Sequence, residues 1–174
     1  MRTLRVVSFL LIVTLLVFSL SGCGWRLRGS QEVDVALPSM QLHFQQASAD
    51  LKRELTQSLQ SAGVDLNSNA ERVLTIHTEN QGRRVLAVDS SGKVSDYELQ
   101  YELLFSLQEG KQVLISNERI RQQRDYQFDE NAVLAKGEEE QRLFDFMRRM
   151  SIQSLMRRLH AVTTANTEPA SDAN

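Results

Sequence analysis

From Tyr97 to Gln108 the chain alternates with a single exception at Leu104, and this run constrains the fold more than any other stretch. Tyr97, Leu99, Tyr101, Leu103, Phe105 and Leu107 take one register, and Glu98, Gln100, Glu102, Leu104, Ser106 and Gln108 take the other. Side chains on a strand leave it on opposite faces with period two, so this is a long strand with one apolar face and one polar face. Glu109-Gly110-Lys111 turns the chain, and Gln112 to about Tyr126 returns as the partner strand. Upstream, Val73 to Ile76 continues beyond Gly82 to Val88 as a further strand before the turn Ser90-Ser91-Gly92. The glycine in its middle predicts a bulge at Gln81-Gly82. Met40-Gln41-Leu42-His43-Phe44 also alternates and adds a short strand.

The apolar face of such a sheet needs a cover, and two helices supply it. Ser48 is placed to cap, Asp50 sits in the first turn, and Leu51, Leu55, Leu59 and Ala62 fall at helical spacing before Gly63, a left-handed stop. The second helix runs from about Ala132 or Gly137 to His160. In it Leu143, Met147, Ser151, Leu155 and Leu159 form an i+4 row, with Phe144 at its flank. The order strand, helix, three-strand meander, helix predicts an α+β fold, a two-layer sandwich with two helices packed on one face of a four-stranded sheet. The other face should be comparatively polar.

The N-terminus carries a different signal. Arg2 and Arg5 precede an uncharged run from Val6 to Leu20. That run is shorter than the roughly 20 apolar residues a membrane-spanning helix needs, and it has the flanks of an export signal. Leu20-Ser21-Gly22-Cys23 resembles the lipobox of bacterial lipoproteins, in which small residues precede a cysteine that is acylated. Residues 1–22 are therefore expected to be a lipoprotein signal peptide. Residues 23–38 are expected to be the acylated N-terminus and linker, 39–162 the folded α/β domain, and 163–174 a disordered tail that is small, polar and contains Pro169. Cys23 is the only cysteine, so no internal disulfide is possible, and acylation accounts for an exported protein with one thiol. The covalent lipid expected there is an S-diacylglycerol with an N-acyl chain. Several chains at one terminus hold a protein to a membrane, where one chain does so only marginally. Gly24, rather than Asp, follows the cysteine, which by resemblance to lipoprotein sorting points to the outer membrane.

Composition excludes several functions. Without residues 1–22 the chain has 18 basic and 22 acidic residues, a net charge of −4. A nucleic-acid binder would show a basic excess. His43, His77 and His160 are far apart, and no HExxH, cysteine cluster, GxSxG, P-loop or GxGxxG occurs. No metal and no cofactor is expected.

A set of short motifs then falls in a telling order. These are Cys23-Gly24-Trp25-Arg26-Leu27-Arg28-Gly29, Asp96-Tyr97-Glu98-Leu99, Arg124-Asp125-Tyr126-Gln127-Phe128-Asp129, Ala132-Val133-Leu134-Ala135-Lys136 and Leu155-Met156-Arg157-Arg158-Leu159. Their order and spacing over residues 23–160 resemble the lipopolysaccharide-assembly lipoprotein family LptE. The resemblance implies a non-enzymatic protein, lipid-anchored to the outer membrane on its periplasmic side. It implies a one-to-one complex with the β-barrel LptD, which the family plugs and helps assemble, and assistance in inserting lipopolysaccharide into the outer leaflet.

Lipopolysaccharide carries phosphates, so loop cations are its natural contacts. Lys136 matches the family's lysine in its motif. Lys93 departs from the family pattern, since members can carry an arginine earlier in that turn, where this chain has Ser90 and Ser91. Arg83 and Arg84 are further candidates, and each of the four has a simpler reading as a solvated charge. Arg119 and Arg121 either belong to a surface facing the barrel or pair across the sheet with Glu98 and Glu102. On the last helix Phe146 and Met150 lie off the main row, as Ile152 and Met156 do on the opposite flank. Either a wide groove buries them, or Phe146 and Met150 stay exposed and touch the barrel wall. Two other functions stay open on the residues alone. One is a lipid-binding carrier that acts without a barrel, which requires a large apolar cavity. The other is an envelope hydrolase using Asp125, Asp129 or a glutamate of 138–140 with a histidine, although those glutamates also suit the acidic first turn of a helix.

Overall fold

The computed structural model describes residues 37–167. The expected signal peptide, the expected acylation site Cys23, most of the expected linker and the last part of the expected tail lie outside the described residues.

The first strand, β1 (Met40–Gln46), leads directly into helix α1 (Ala49–Ser61). Ser48 caps α1 as its position predicts, its Oγ accepting from the Leu51 N–H at 3.1 Å. Its own N–H donates to Glu79 Oε2 across the fold at 2.6 Å. Gly63 has φ +78°, which a residue with a side chain adopts only under strain, and the Val64 N–H closes the helix end on the Leu59 carbonyl at 3.0 Å. Leu51, Leu55 and Leu59 are fully buried.

The remaining strands are β2 (Arg72–Val88), β3 (Val94–Glu109) and β4 (Gln112–Gln127), in the sheet order β1-β2-β3-β4. β2, β3 and β4 form an antiparallel meander, whereas β1 pairs parallel to β2 over Met40↔Arg72 to Gln46↔Thr78. A helix between two neighbouring strands carries the chain back to the starting end, which is why this pair is parallel. The sheet is thus four-stranded at the base and three-stranded beyond Thr78. The odd-numbered residues of β3 from Leu99 to Leu107 all lie in the core with Leu74, Ile76, Ile115 and Ile120, under the two helices.

The bulge expected at Gln81-Gly82 is absent. Pairing runs unbroken through Gln81↔Tyr101, Gly82↔Gln100 and Arg83↔Leu99, and the irregular steps fall on either side of it, between Ile76 and Thr78 and between Val85 and Val88 near the turn. Parity explains the difference. Ile76 and Glu79 both face the helices although an odd number of positions separates them, so one extra residue must be inserted. His77 is thrown to the other face, where its Nε2 lies 2.9 Å from Ser106 Oγ. β4 repeats the device: Ile115 and Ile120 share the core face, and the step is absorbed near Asn117, whose φ is +45°.

The second helix, α2 (Val133–Thr167), follows a 3-10 turn at Glu130–Ala132 that the Asp129 carboxylate caps. Phe144, Met147, Ser151, Ile152, Leu155 and Leu159 are buried, while Leu143 is only half-buried. The helix passes the expected end at His160, so residues 163–167 are helical and not part of a disordered tail. Thr163 is buried, donating to the Leu159 carbonyl at 2.9 Å and accepting from Arg72 Nη1 at 2.8 Å. Arg72 in turn grips Glu109 at 3.0 Å, which ties the helix to the base of the sheet. Between the helices Arg148 is buried and bridges Glu54 of α1 at 3.0 Å and Asp145 at 2.8 Å.

Candidate functional site

Beyond Thr78 only α2 lies under three strands. Strands repeat about every 4.8 Å, and a helix with its side chains is about 10–12 Å across, so one helix leaves the flanks of such a ribbon uncovered. At this end the aromatic residues gather. Tyr97 stacks on Tyr126 with centroids 6.4 Å apart and meets Phe128 edge-on at 5.6 Å. Tyr126 Oη donates to the Lys136 carbonyl at 2.6 Å, anchoring the first turns of α2, and burial raises its phenol pKa.

Cations cover these rings. The Arg83 guanidinium lies 4.8 Å from the Tyr97 centroid, Lys136 Nζ 5.6 Å from Tyr126, and the Arg124 guanidinium 5.5 Å from Phe146. The ring quadrupole attracts a cation on its face, so each ring holds a positive group in position on the surface. Arg83 and Lys136, distant in sequence, are thereby brought to one cluster; Arg83 also pairs with Glu140 of α2 and Lys136, itself on α2, with Glu139 one turn on, each at 2.9 Å.

The other two candidate cations lie elsewhere. Arg84 points to the open face and forks onto Glu98 at 2.8 and 3.0 Å, which holds that carboxyl below the usual range. Lys93 sits at the β2–β3 turn and reaches Glu130 at 2.6 Å, and that hydrogen bond raises its pKa, as the one to Glu139 raises that of Lys136. All four cations therefore have a carboxylate partner. Lys93 and Glu130 are both exposed, the pairs of Arg83 and Lys136 are partly so, and water screens such pairs enough for an incoming anion to compete, whereas Glu98 under Arg84 is buried. On the open face Glu102 takes both Arg119 at 3.0 Å and Arg121 at 2.8 Å, the cross-strand pairing anticipated for that carboxylate, while Glu98 goes to Arg84 instead.

Phe146 is 40% exposed and Met150 half-buried, whereas Ile152 is buried and Met156 packs on the core. Arg124 and Arg148 were missed as candidates. Arg124 follows the three polar residues Arg121, Gln122 and Gln123 on a strand and reads as solvated. Arg148 stands beside Arg149 in what looks like a charged helix face; the only hint was Asp145 three residues before it. His43 and His77 face Gln41, Gln45 and Ser106, so neither stands beside Asp125, Asp129 or a glutamate of 138–140. Among the described residues no helix is long and apolar enough to cross a membrane.

The fold has solved counterparts. A crystal structure of rare lipoprotein B from Shewanella oneidensis superposes with a TM-score of 0.58 at 27% identity, covering 73% of this chain and 96% of that one. A solution structure of a lipoprotein B from Nitrosomonas europaea gives a TM-score of 0.64 at 23% identity, over 87% of this chain and 99% of that one. In sequence, the LPS-assembly lipoprotein LptE of Pectobacterium atrosepticum is 27% identical over 160 residues, 87% of this chain and 84% of its own length. The family model for LptE, lipopolysaccharide-assembly, matches residues 33–159. With most of its length inside that match, the chain belongs to the LptE family.

Proposed function

We propose that this protein is the inner subunit of a lipopolysaccharide-exporting complex. It belongs to a non-enzymatic lipoprotein family of lipopolysaccharide transport at the outer membrane. On the finer reading, Cys23 carries the acyl chains and anchors the protein on the periplasmic side. The folded domain occupies the lumen of an LptD-like β-barrel in a one-to-one complex, helps that barrel assemble, and assists lipopolysaccharide into the outer leaflet. The observation that carries this reading is the clustering of Arg83, Lys136 and Arg124 over aromatic rings at one end of the sheet. Arg83 and Lys136 are held on ring faces and paired to the part-exposed Glu140 and Glu139, and Arg124 donates to the Gln123 carbonyl, so all three are suited to take phosphate as a partner. Val85, Val88 and Leu134 are exposed at the same end, where acyl chains can be met.

A carrier acting without a barrel needs an apolar interior cavity. The groove of about 480 Å³ between the helices is open and lined by Glu54, Gln57, Ser58 and Arg149 among others, which does not favour it. The test is purification of the lipidated protein in mild detergent. A large β-barrel should accompany it at one-to-one stoichiometry, and recovery of the protein alone refutes the plug reading.

A further inference from the structure

Gly82 is a glycine without a reason inside its own chain. It lies in the interior of β2, its φ is not in the left-handed region, and its pairing to Gln100 is regular. A Cβ built on it meets nothing within 4 Å, so no neighbour forbids a side chain. Glycine weakens a strand interior, both by its freedom in the unfolded chain and by leaving nothing to pack. A glycine with no turn, bulge or internal contact to serve marks a place where something outside the chain comes close to the backbone.

The gap opens on the face of the sheet away from the helices. There Asn80, Gln100, Glu102, Arg121 and Gln123 wall a groove of about 360 Å³ with Gly82 in its floor. The charges around it are already matched, Glu102 by Arg119 and Arg121, and Glu98 by Arg84. Gln100 Nε2 donates to Glu98 at 2.7 Å. Among the described residues the Asn80 amide, the carbonyl ends of Gln100 and Gln123 and the outer N–H groups of Arg121 keep hydrogen-bonding capacity for a visitor.

The walls select its chemistry. The groove is too polar for an acyl chain. A sugar ring normally finds an aromatic face for its apolar side, yet Tyr97, Tyr101, Phe105 and Tyr126 all lie on the helix side of the sheet. A neutral, amide-rich gap in one sheet is what a polar side chain from a facing sheet fills, since packed sheets interdigitate their side chains. The inner wall of an outer-membrane barrel is such a surface, with polar residues alternating inward. We propose that the open face of the sheet lies against the inner wall of the partner barrel, and that the Gly82 groove receives a polar side chain from that wall. This rests on the plug reading and adds which face makes the contact.

The test is Gly82→Trp in the full-length lipidated protein, with co-purified barrel as the readout. The indole enters open space, so the melting temperature should stay near that of the unsubstituted protein, while barrel recovery falls by about tenfold or more. Undiminished recovery with Gly82→Trp overturns the inference. So does intact barrel recovery combined with weakened lipopolysaccharide binding, which would make the groove a sugar site. If the unsubstituted protein recovers no barrel, the plug reading itself fails, a distinct result. Should Gly82→Trp not fold, a photo-crosslinking side chain in place of Gln123 decides. It should form an adduct with the barrel, and absence of that adduct overturns the proposal.

Discussion

Replacing Arg148 by methionine should separate the two helices energetically while changing their packing little. The side chain is 4% exposed and donates through Nη2 to Glu54 at 3.0 Å and Asp145 at 2.8 Å. Methionine keeps most of the apolar stem but leaves two carboxylates without their cation. Stranding a fully buried charge costs about 3–5 kcal/mol. Here Glu54 and Asp145 are 23% and 33% exposed and can turn toward water, which lowers the expected loss to about 2 kcal/mol. For a domain of this size that corresponds to a fall of about 7 °C in Tm. The assay is thermal unfolding of the non-acylated protein followed by circular dichroism, with urea midpoints as a second measure. Glu54→Gln alone, combined with Arg148→Met in a double-mutant cycle, should reveal a coupling of about 1 kcal/mol. If Arg148→Met melts within about 1 °C of the unsubstituted protein, desolvation of the guanidinium cancels its attraction and the pair holds nothing together.

Cys23→Ser should block acylation and processing and leave the precursor in the inner membrane; mass spectrometry finding an unmodified Cys23 in the mature protein contradicts the anchor. Lys136→Asp with Lys93→Asp should weaken lipopolysaccharide binding at low salt, where exposed charges act most strongly, with the fold retained by circular dichroism. Equal binding by the two proteins removes these lysines from the contact. Phe146→Ser with Met150→Ser should lower the Tm of the free domain modestly and reduce barrel recovery, because Phe146 is 40% exposed, with Arg124 over its ring, and Met150 is only half-buried. A loss of about 2–5 kcal/mol for each residue, as for core truncation, would place both inside the fold and end their role as a contact surface.

Where local rules act alone, the chain was readable from its sequence. Ser48 and Gly63 bound α1 because a cap and a left-handed stop need only their neighbours, and the β3 alternation named its own buried face. Where two segments must agree, it was not. The bulge near His77 follows from Ile76 and Glu79 sharing a face, which only the partner strand reveals; Gly82 drew attention because it is a glycine, not because parity changes there. Thr163 and residues after it look like a polar tail until Arg72, distant in sequence, reaches them. Arg148 reads as a surface charge until Glu54 arrives from the other helix. For the cations, proximity in sequence misled. Arg83 and Arg84 are adjacent yet serve opposite faces of the sheet, while Arg83 and Lys136 share one cluster.

That separation has a mechanical consequence. The strands of the meander outrun α1, so the base of the domain is a four-stranded sheet under two helices and its far end is a three-stranded ribbon over one. At the base, Arg72 binds Glu109 and Thr163 where little water reaches, and Leu51, Leu55, Leu59, Leu74 and Leu107 are all fully buried. At the far end the contacts that hold α2 to the ribbon include a phenol on a carbonyl, cations on ring faces and a part-exposed ion pair between Arg83 and Glu140. Such contacts are individually weak and open at little free-energy cost compared with a close-packed leucine core. Hydrogen exchange should therefore rank the amides of Arg83 to Val88 and Tyr126 below those of Leu74 and Leu103 to Leu107.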